Sequence, residues 1–223
     1  MKIIARIRND FKEKFGIPRQ SGILDGFKSR IVFEPEYRVK EALRGIEGYS
    51  HLWLIWEFSE AKREGFSPTV RPPRLGGNRR MGVFATRSPY RPNPIGLSSV
   101  KLLEVIDTPD EGTVLIVSGA DLLDGTPIYD IKPYLSFTDS HPDAVCGFAD
   151  KVKGYSLEVS FPEELLSKVD MGKRDSLHRL LADDPRPSYI ADGDRIYTFS
   201  FADYEISFKV EDNLLTVTDV EDR

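Results

Sequence analysis

A basic segment from Gly65 to Leu103 is the part of this sequence best suited to bind a charged ligand. It holds seven Lys or Arg residues and no Asp or Glu, whereas the 223-residue chain has a formal net charge of -5, so the other residues carry -12. Arginine pairs with phosphate and stacks on bases, and the surrounding Pro and Gly residues are typical of exposed loops. The segment therefore favours RNA, a phosphorylated ligand or a carboxylate as its ligand, with ion pairing inside the chain as the alternative. The basic residues are Arg71, Arg74, Arg79, Arg80, Arg87, Arg91 and Lys101.

A polar loop within this segment, SPYRPNPIG at residues 88–96, contains three prolines. The prolines fix φ and reduce the conformational freedom that folding must remove. Asn93 stands between two of them, and an Asn amide can both donate to and accept from an adenine edge. We interpret the loop as a binding element; the alternative is an ordinary rigid turn.

Three carboxylates, Asp121, Asp124 and Asp130, lie in the segment DLLDGTPIYDIKPY at residues 121–134. They could accept hydrogen bonds from a ribose, an amine or an incoming N–H group. Asp124 and Gly125 also form a common turn dipeptide, so a hairpin with Asp at its turn positions is the alternative.

Strands are the main elements expected to position these groups. The apolar run HLWLIWEF at residues 51–58 predicts a buried strand, whereas the apolar spacing over residues 36–46 predicts an amphipathic helix. Further strands are predicted in the first half of the chain at residues 1–8, 29–33, 81–85, 97–105 and 113–118.

The pattern changes near residue 154, which predicts two domains. Residues 1–154 form a mostly-β domain with one or two helices, and residues 155–223 form a small α+β domain. In the second domain, helices at 162–169 and 174–182 precede a three-strand meander at 196–201, 204–210 and 214–217. No strand–GxGxxG–helix unit occurs, so a dinucleotide-type Rossmann domain is not expected.

Composition excludes several classes of protein. A single cysteine, Cys146, rules out an intramolecular disulfide and suits a reducing compartment. The three histidines are far apart and lack metal-ligand spacing, so no metal site is expected. The charged N-terminus is unlike a signal peptide, and no apolar run is long enough for a membrane span. We expect a cytoplasmic protein without a membrane partner.

Five segments of this sequence occur in an order that is typical of one family. They are KFGIPRQ (14–20), HLWLIWEF, VRPPRLGGNRRMGVFATRSPYRPNPIGLS (70–98), DLLDGTPIYDIKPY and DPRPSY (184–189). Together they resemble the TsaA-like (TrmO) family of tRNA methyltransferases. The resemblance covers most of the chain, and the segment 70–98 is highly specific.

The resemblance implies a small β-barrel domain that binds S-adenosylmethionine, followed by the α+β domain. It further implies methylation of N6 of N6-threonylcarbamoyladenosine, at position 37 beside the anticodon of a threonine tRNA. Family members form homodimers with the cofactor near the subunit boundary. Whether Arg186 of DPRPSY serves the partner subunit's site is left open.

The family motifs carry cofactor contacts onto particular positions of this chain. The implied cofactor-binding residues are Pro18, Arg19, Gln20, Arg87, Leu97 and the stretch Ser118, Gly119, Ala120 and Asp121. Ser59 and Glu60 are added because they stand where related sequences often have a histidine-containing segment.

The reaction needs the accepting N6 atom held in line with a methyl donor, and removal of its proton would help. Asp124 and Asp130 are the predicted bases, and Asn93 is predicted to position the nucleobase. Contacts to the anticodon loop are predicted for Arg71, Arg74, Arg79, Arg80, Tyr90, Arg91 and Tyr134.

Two other functions fit the same residues. The chain could be a binding module that holds S-adenosylmethionine, a nucleoside or RNA without catalysis. It could also be a methyltransferase for a different RNA or small molecule, because a fold does not fix the substrate.

Overall fold

The computed structural model of the chain describes residues 1–24, 26–61, 65–72, 79–152, 154–186 and 193–223. Its N-terminal half is built almost entirely from strands. They are β1 (Ala5–Arg8), β2 (Lys28–Phe33), β3 (His51–Glu57), β4 (Thr69–Val70), β5 (Met81–Gly82), β6 (Ile95–Thr108), β7 (Gly112–Ser118) and β8 (Pro127–Pro133).

Six of these strands pair in the order β1-β2-β7-β6-β3-β8, and β8 pairs back onto β1 to close the sheet into a barrel. Every pair in it is antiparallel. Along β3 the even-numbered residues Leu52, Leu54 and Trp56 are buried inside, while the odd-numbered ones face outward and are half-exposed. This period of two is the pattern expected of a strand with one face on a core.

The C-terminal half contains a second sheet and the longest helix. Its elements are α1 (Ser136–Asp139), β9 (Glu158–Ser160), α2 (Glu163–Leu166), α3 (Met171–Ala182), β10 (Tyr197–Phe201), β11 (Tyr204–Glu211) and β12 (Leu214–Asp222). The sheet order is β10-β11-β12-β9, with β9 parallel to β12. The predicted three-strand meander is confirmed, and the chain as a whole has the mostly-strand α+β composition that its sequence predicts.

Two hydrophobic cores correspond to the two sheets, but the chain does not divide between them at one point. The barrel core contains Ile7, Ile31, Leu54 and Leu115, among others. The C-terminal core contains residues of α3 and β10–β12, and also Phe11, Leu24 and Phe27 from the N-terminal segment. The segment between β1 and β2 therefore lies in the first half of the sequence but packs in the core of the second half.

Residues 36–46 do not form the predicted amphipathic helix. Three short 3-10 turns, at Pro35–Tyr37, Lys40–Leu43 and Ile46–Gly48, are separated by non-helical residues, which include the left-handed Gly45. Arg38 donates hydrogen bonds to the carbonyls of Phe33 and Asp110, at 3.0 and 2.9 Å, and these tertiary contacts hold the backbone between the first two turns.

Three other elements are shorter than predicted, the first being the strand expected over residues 1–8, which covers only Ala5–Arg8. The strand expected over residues 81–85 ends at Gly82 and continues as a 3-10 turn, Val83–Ala85. The helix expected over 162–169 covers only Glu163–Leu166. Within the part of the chain that the structure describes, no helix has the length and apolarity needed to cross a membrane.

Candidate functional site

A cavity of about 520 Å³ lies beside the barrel, a volume within the range of small-molecule sites. Four parts of the chain meet around it: residues 14–20, the end of β3 with the turn at 58–61, the loop at 86–91, and the start of β6. Asp121, Leu123 and Thr126 complete the lining. The cavity thus combines segments from four of the five family-like motifs.

The wall of the cavity is aromatic where β3 pairs with β6. Trp56 pairs with Gly96, and a Cβ atom on Gly96 would lie 2.2 Å from the Trp56 indole, so only glycine fits there. Trp56 Nε1 donates to Ser98 Oγ at 2.9 Å, and Ser98 Oγ in turn donates to the Asp121 carboxylate at 2.5 Å. The indole is therefore fixed by both packing and hydrogen bonding.

Asp121 lies at the end of this hydrogen-bond chain. Burial raises the pKa of its carboxyl group above the ordinary value, although hydrogen bonds, including that from Ser98, and the Arg87 charge act in the opposite direction. A half-buried carboxyl group at a cavity wall can accept hydrogen bonds from ligand hydroxyl or amino groups and attract a cation.

Basic side chains stand at the rim. Arg87 donates to the side-chain oxygen of Gln20, and Lys14 donates to the Glu60 carbonyl at 2.7 Å. These contacts connect residues 14–20 to two other parts of the rim. The lining therefore offers aromatic, cationic and anionic groups to one ligand.

Most of the predicted cofactor-binding residues meet in this cavity. Pro18, Arg19, Gln20, Ser59, Glu60, Arg87, Leu97 and Asp121 line it. Ser118 ends β7, and Gly119 and Ala120 follow it; the Gly119 carbonyl accepts from the Gly22 amide at 2.9 Å. These three residues are not among those that line the cavity.

The structure does not bring the predicted catalytic residues into the described lining. Asn93 is exposed in the turn before β6, where its carbonyl accepts from the Ile95 amide at 2.7 Å. Asp124 accepts from the Asn9 amide at 2.9 Å and pairs with Lys12 at 3.0 Å, contacts that join the β7–β8 connection to the N-terminal segment. Asp130, on β8, pairs with Lys132 at 3.1 Å.

The predicted RNA-binding residues that the structure describes lie in three places. Tyr90 and Arg91 line the cavity, whereas Arg71, Arg79 and Arg80 are exposed around strands β4 and β5. Tyr134 lies beyond the end of β8 and packs on Trp53, with 5.4 Å between ring centroids. Arg74 lies outside the described residues.

Sequence reasoning missed several aromatic residues at the site. Trp53, Trp56 and Phe58 line the cavity, and the bulky aromatic residues of the apolar run HLWLIWEF are the signal that could have indicated them. Phe66 and Phe84 are also missed: both are exposed, and their rings stack with 6.0 Å between centroids. The Arg91 guanidinium lies 5.9 Å from the Phe84 ring centre, so this aromatic pair adjoins a basic residue of the cavity.

Comparison with known proteins gives matches over nearly the whole chain. Residues 6–140 match the family model of the tRNA-methyltransferase O N-terminal domain, and residues 155–223 match that of the TrmO C-terminal domain. A tRNA (adenine(37)-N6)-methyltransferase of Escherichia coli K12 is 42% identical, over 94% of this chain and 92% of its own.

A curated protein and a crystal structure, both from Pseudomonas aeruginosa, are also similar. One, RcsF, is named a candidate S-adenosylmethionine-dependent methyltransferase and is 42% identical, over 83% of this chain and 81% of its own. The other is TrmO, whose crystal structure has a TM-score of 0.78 and 33% identity, covering 99% of this chain and 95% of that one.

Proposed function

The chain belongs to the TrmO family, and from that membership we propose that it methylates N6 of N6-threonylcarbamoyladenosine at position 37 of threonine tRNA. Its activity is that of an S-adenosylmethionine-dependent tRNA adenine-N6-methyltransferase. The cavity supports the site assignment, because eight of the eleven residues predicted to bind the cofactor line it.

The residues of the cavity fit S-adenosylmethionine, which is a sulfonium cation with an amino acid at one end and an adenosine at the other. Trp53, Trp56 and Phe58 supply apolar and aromatic surface, which suits a purine and a cationic sulfur. Arg19 and Arg87 can pair with the carboxylate, and Asp121 and Glu60 can accept from hydroxyl and ammonium groups. When bound, the sulfonium supplies an electrophilic methyl group.

The protein itself has to hold the accepting nitrogen in position. The carbonyl substituent on N6 delocalises its lone pair and makes its proton easier to remove than that of adenosine. Asn93 is proposed to position this nucleobase, and Asp124 or Asp130 to take up the proton. Each of the two carboxylates has a lysine partner in this structure, Lys12 for Asp124 and Lys132 for Asp130.

The surface proposed to hold the tRNA runs from the cavity to strands β4 and β5. Arg71, Arg79 and Arg80 are exposed there, and the stacked pair of Phe66 and Phe84 offers rings on which unpaired bases could stack. Arg91 and Tyr90 connect this surface to the cavity. The arrangement suits a nucleotide turned out of the anticodon loop.

We also propose that the enzyme is a cytoplasmic homodimer, as the family resemblance implies. Apolar side chains on the outer face of β6 support a protein contact beside the cavity: Ile95 and Leu97 are 36% and 57% exposed. Light scattering of the purified protein should give a mass twice that of the chain.

Nucleoside mass spectrometry of tRNA tests the proposal. A strain lacking this gene should accumulate unmethylated N6-threonylcarbamoyladenosine, and the purified protein with S-adenosylmethionine should restore the methyl group. Heat of cofactor binding without methyl transfer would instead indicate a binding module, and transfer only to another RNA would change the substrate.

Single substitutions test the residues. Arg87→Ala, Asn93→Ala and Asp124→Ala should each slow methyl transfer by about tenfold or more, as expected for groups that bind or position reactants. Lys40→Ala, in an exposed ion pair with Asp107, is the matched control and should retain the wild-type rate. Wild-type rates for all three test variants would contradict the site assignment.

A further inference from the structure

Arg19, a residue of the cavity wall, reaches across to the C-terminal half of the chain. Its guanidinium donates to the carbonyl oxygens of Asp184 and Arg186, at 2.9 and 2.5 Å. Both bonds come from Nη2, so two carbonyls more than 160 positions away in sequence determine where this end of the side chain lies.

Asp184 organises the backbone that presents these carbonyls. It is 5% exposed and has a φ of +54°, a left-handed conformation that is uncommon for residues other than glycine. Its carboxylate accepts from Arg186 Nε and Nη2 at 2.8 and 3.0 Å and from the Tyr155 hydroxyl at 2.9 Å. A two-point guanidinium–carboxylate contact of this kind restricts both partners strongly.

The charge state of Asp184 agrees with that arrangement. Burial disfavours its ionised form, but the hydrogen bonds and charge of Arg186 outweigh burial and lower the pKa of the carboxyl group below its ordinary value. The side chain of Arg186 is 13% exposed and is engaged by Asp184 within the same chain.

Packing against the C-terminal core also fixes Phe15 and Gly16, which precede Arg19 in the chain. Phe15 lies against the C-terminal core, edge-on to Phe199 with 5.8 Å between ring centroids. Gly16 has a φ of +91°, and a Cβ atom there would lie 2.4 Å from the Phe199 ring. The backbone just before Pro18 therefore packs against β10, and Pro18, Arg19 and Gln20, which follow, line the cavity.

We propose that Asp184 is a positioning residue for the cofactor site. Asp184 and Arg186 hold in place the backbone carbonyls that bind Arg19. Through this contact the C-terminal domain keeps residues 18–20 in their binding conformation. The proposal rests on the proposed function, since it assumes that residues 18–20 bind S-adenosylmethionine. It gives the C-terminal domain a defined part in cofactor affinity, separate from any contact with tRNA.

The test compares two substitutions of the full-length protein. Asp184→Gly keeps the left-handed backbone accessible and removes the carboxylate, whereas Asp184→Asn keeps the shape and one acceptor. Calorimetric titration with S-adenosylmethionine should give a dissociation constant raised about tenfold for Asp184→Gly, with a smaller increase for Asp184→Asn. Amide hydrogen exchange at residues 14–22 of the ligand-free protein should become faster in the same order.

Steady-state kinetics distinguish positioning from general damage. The KM for S-adenosylmethionine should rise by a similar factor, while kcat at saturating cofactor and the KM for tRNA should stay within about twofold of wild type. Asp219→Asn, which alters an exposed carboxylate paired with Lys168 in the same domain, is the matched control and should change none of these quantities.

The possible failures can be told apart. If the wild type itself gives no heat with S-adenosylmethionine, the proposed function is wrong. If the wild type binds but Asp184→Gly binds equally well and exchanges at the same rate, the positioning role is overturned. If Asp184→Gly does not fold, Asp184→Asn and Tyr155→Phe, which removes one hydrogen bond to the carboxylate, decide the question by the same measurements.

Discussion

At the scale of single residues, Asp121 is the clearest case of a carboxyl group in a position where burial disfavours its ionised form. Trp56, Ser98 and Asp121 form one hydrogen-bond chain, and burial raises the pKa of the carboxyl group at its end. Such a group reduces stability at neutral pH and is retained where binding requires it.

Asp121→Asn should therefore stabilise the protein and weaken cofactor binding. Because the pKa of Asp121 is higher in the folded than in the unfolded state, ionisation destabilises the fold above that pKa, and the penalty disappears as pH falls toward 3.8. At pH 7.5 we expect a melting temperature higher by about 3 °C, the effect of roughly 1 kcal/mol in a protein of this size.

Thermal unfolding at pH 7.5 and pH 4, together with calorimetric titration, checks both expectations. The gain in melting temperature should be smaller at pH 4. A lower melting temperature at pH 7.5, or unchanged affinity for S-adenosylmethionine, would contradict this role for Asp121.

At the residue level, short motifs predict residues that the structure brings to one cavity, and their cofactor contacts stay a prediction. Pro18, Arg19, Gln20 and Arg87 stand in short motifs, and all four line the cavity. The partners of Asp124 could not be predicted, because Asn9 and Lys12 are more than 110 positions away and only the folded chain brings them to this carboxylate.

At the scale of elements, the pairing of β3 with β6 makes the aromatic wall. Its register places Trp56 opposite Gly96 and Leu54 opposite Ser98, so that Trp56 Nε1 reaches Ser98 Oγ. A shift by one residue would turn these side chains to the other face of the sheet. The geometry of the cavity is thus set by strand register.

Gly96→Ala should displace the Trp56 indole and damage both stability and binding. The added methyl group overlaps ring atoms at 2.2 Å, and overpacking of this kind costs about 1–3 kcal/mol or more. Gly48→Ala is the control, because no atom lies within 4 Å of its Cβ position. Denaturant unfolding and cofactor titration should show a loss for the first variant only; equal behaviour of the two would refute the packing argument.

Strand prediction worked better than helix prediction. The strand at 51–57 follows from a short apolar run of bulky residues, and the C-terminal meander follows from local alternation. Over residues 36–46 the apolar spacing is helical, and Tyr37, Leu43 and Ile46 do pack against the barrel core. The helix fails because the Arg38 side chain is bound to the carbonyls of Phe33 and the distant Asp110, and because Gly45 adopts a left-handed conformation.

At the scale of the whole molecule, charge is segregated. The segment 65–103 carries +7 within a chain of net charge -5, and its described arginines at positions 71, 79 and 80 are exposed. A polyanion is attracted to this surface and repelled by most of the rest of the protein surface.

Arg79→Gln should weaken tRNA binding by a similar factor for all tRNAs and reduce its salt dependence. Loss of one phosphate contact lowers the slope of log K against log salt concentration by about one. Binding measured at several salt concentrations checks this, with Lys209→Gln, in an exposed pair with Glu211, as the control. An unchanged slope for Arg79→Gln would mean that this arginine has a structural role.

The change in pattern near residue 154 predicts a division of the chain, but nothing in the sequence predicts the path of residues 9–27. Phe11, Leu24 and Phe27 precede β2, yet they pack with β10–β12. Their apolar character predicts burial without indicating which core receives them, because that choice depends on contacts nearly 200 positions away.

This shared packing has a consequence for biosynthesis. The segment with Pro18, Arg19 and Gln20 is synthesised before β10–β12, which complete its core. At roughly 5–20 residues per second, a nascent chain waits on the order of ten seconds for them. A chain that lacks β10–β12 has no core to bury Phe11 and Phe27, so it offers chaperones and proteases an aromatic surface that the folded protein conceals.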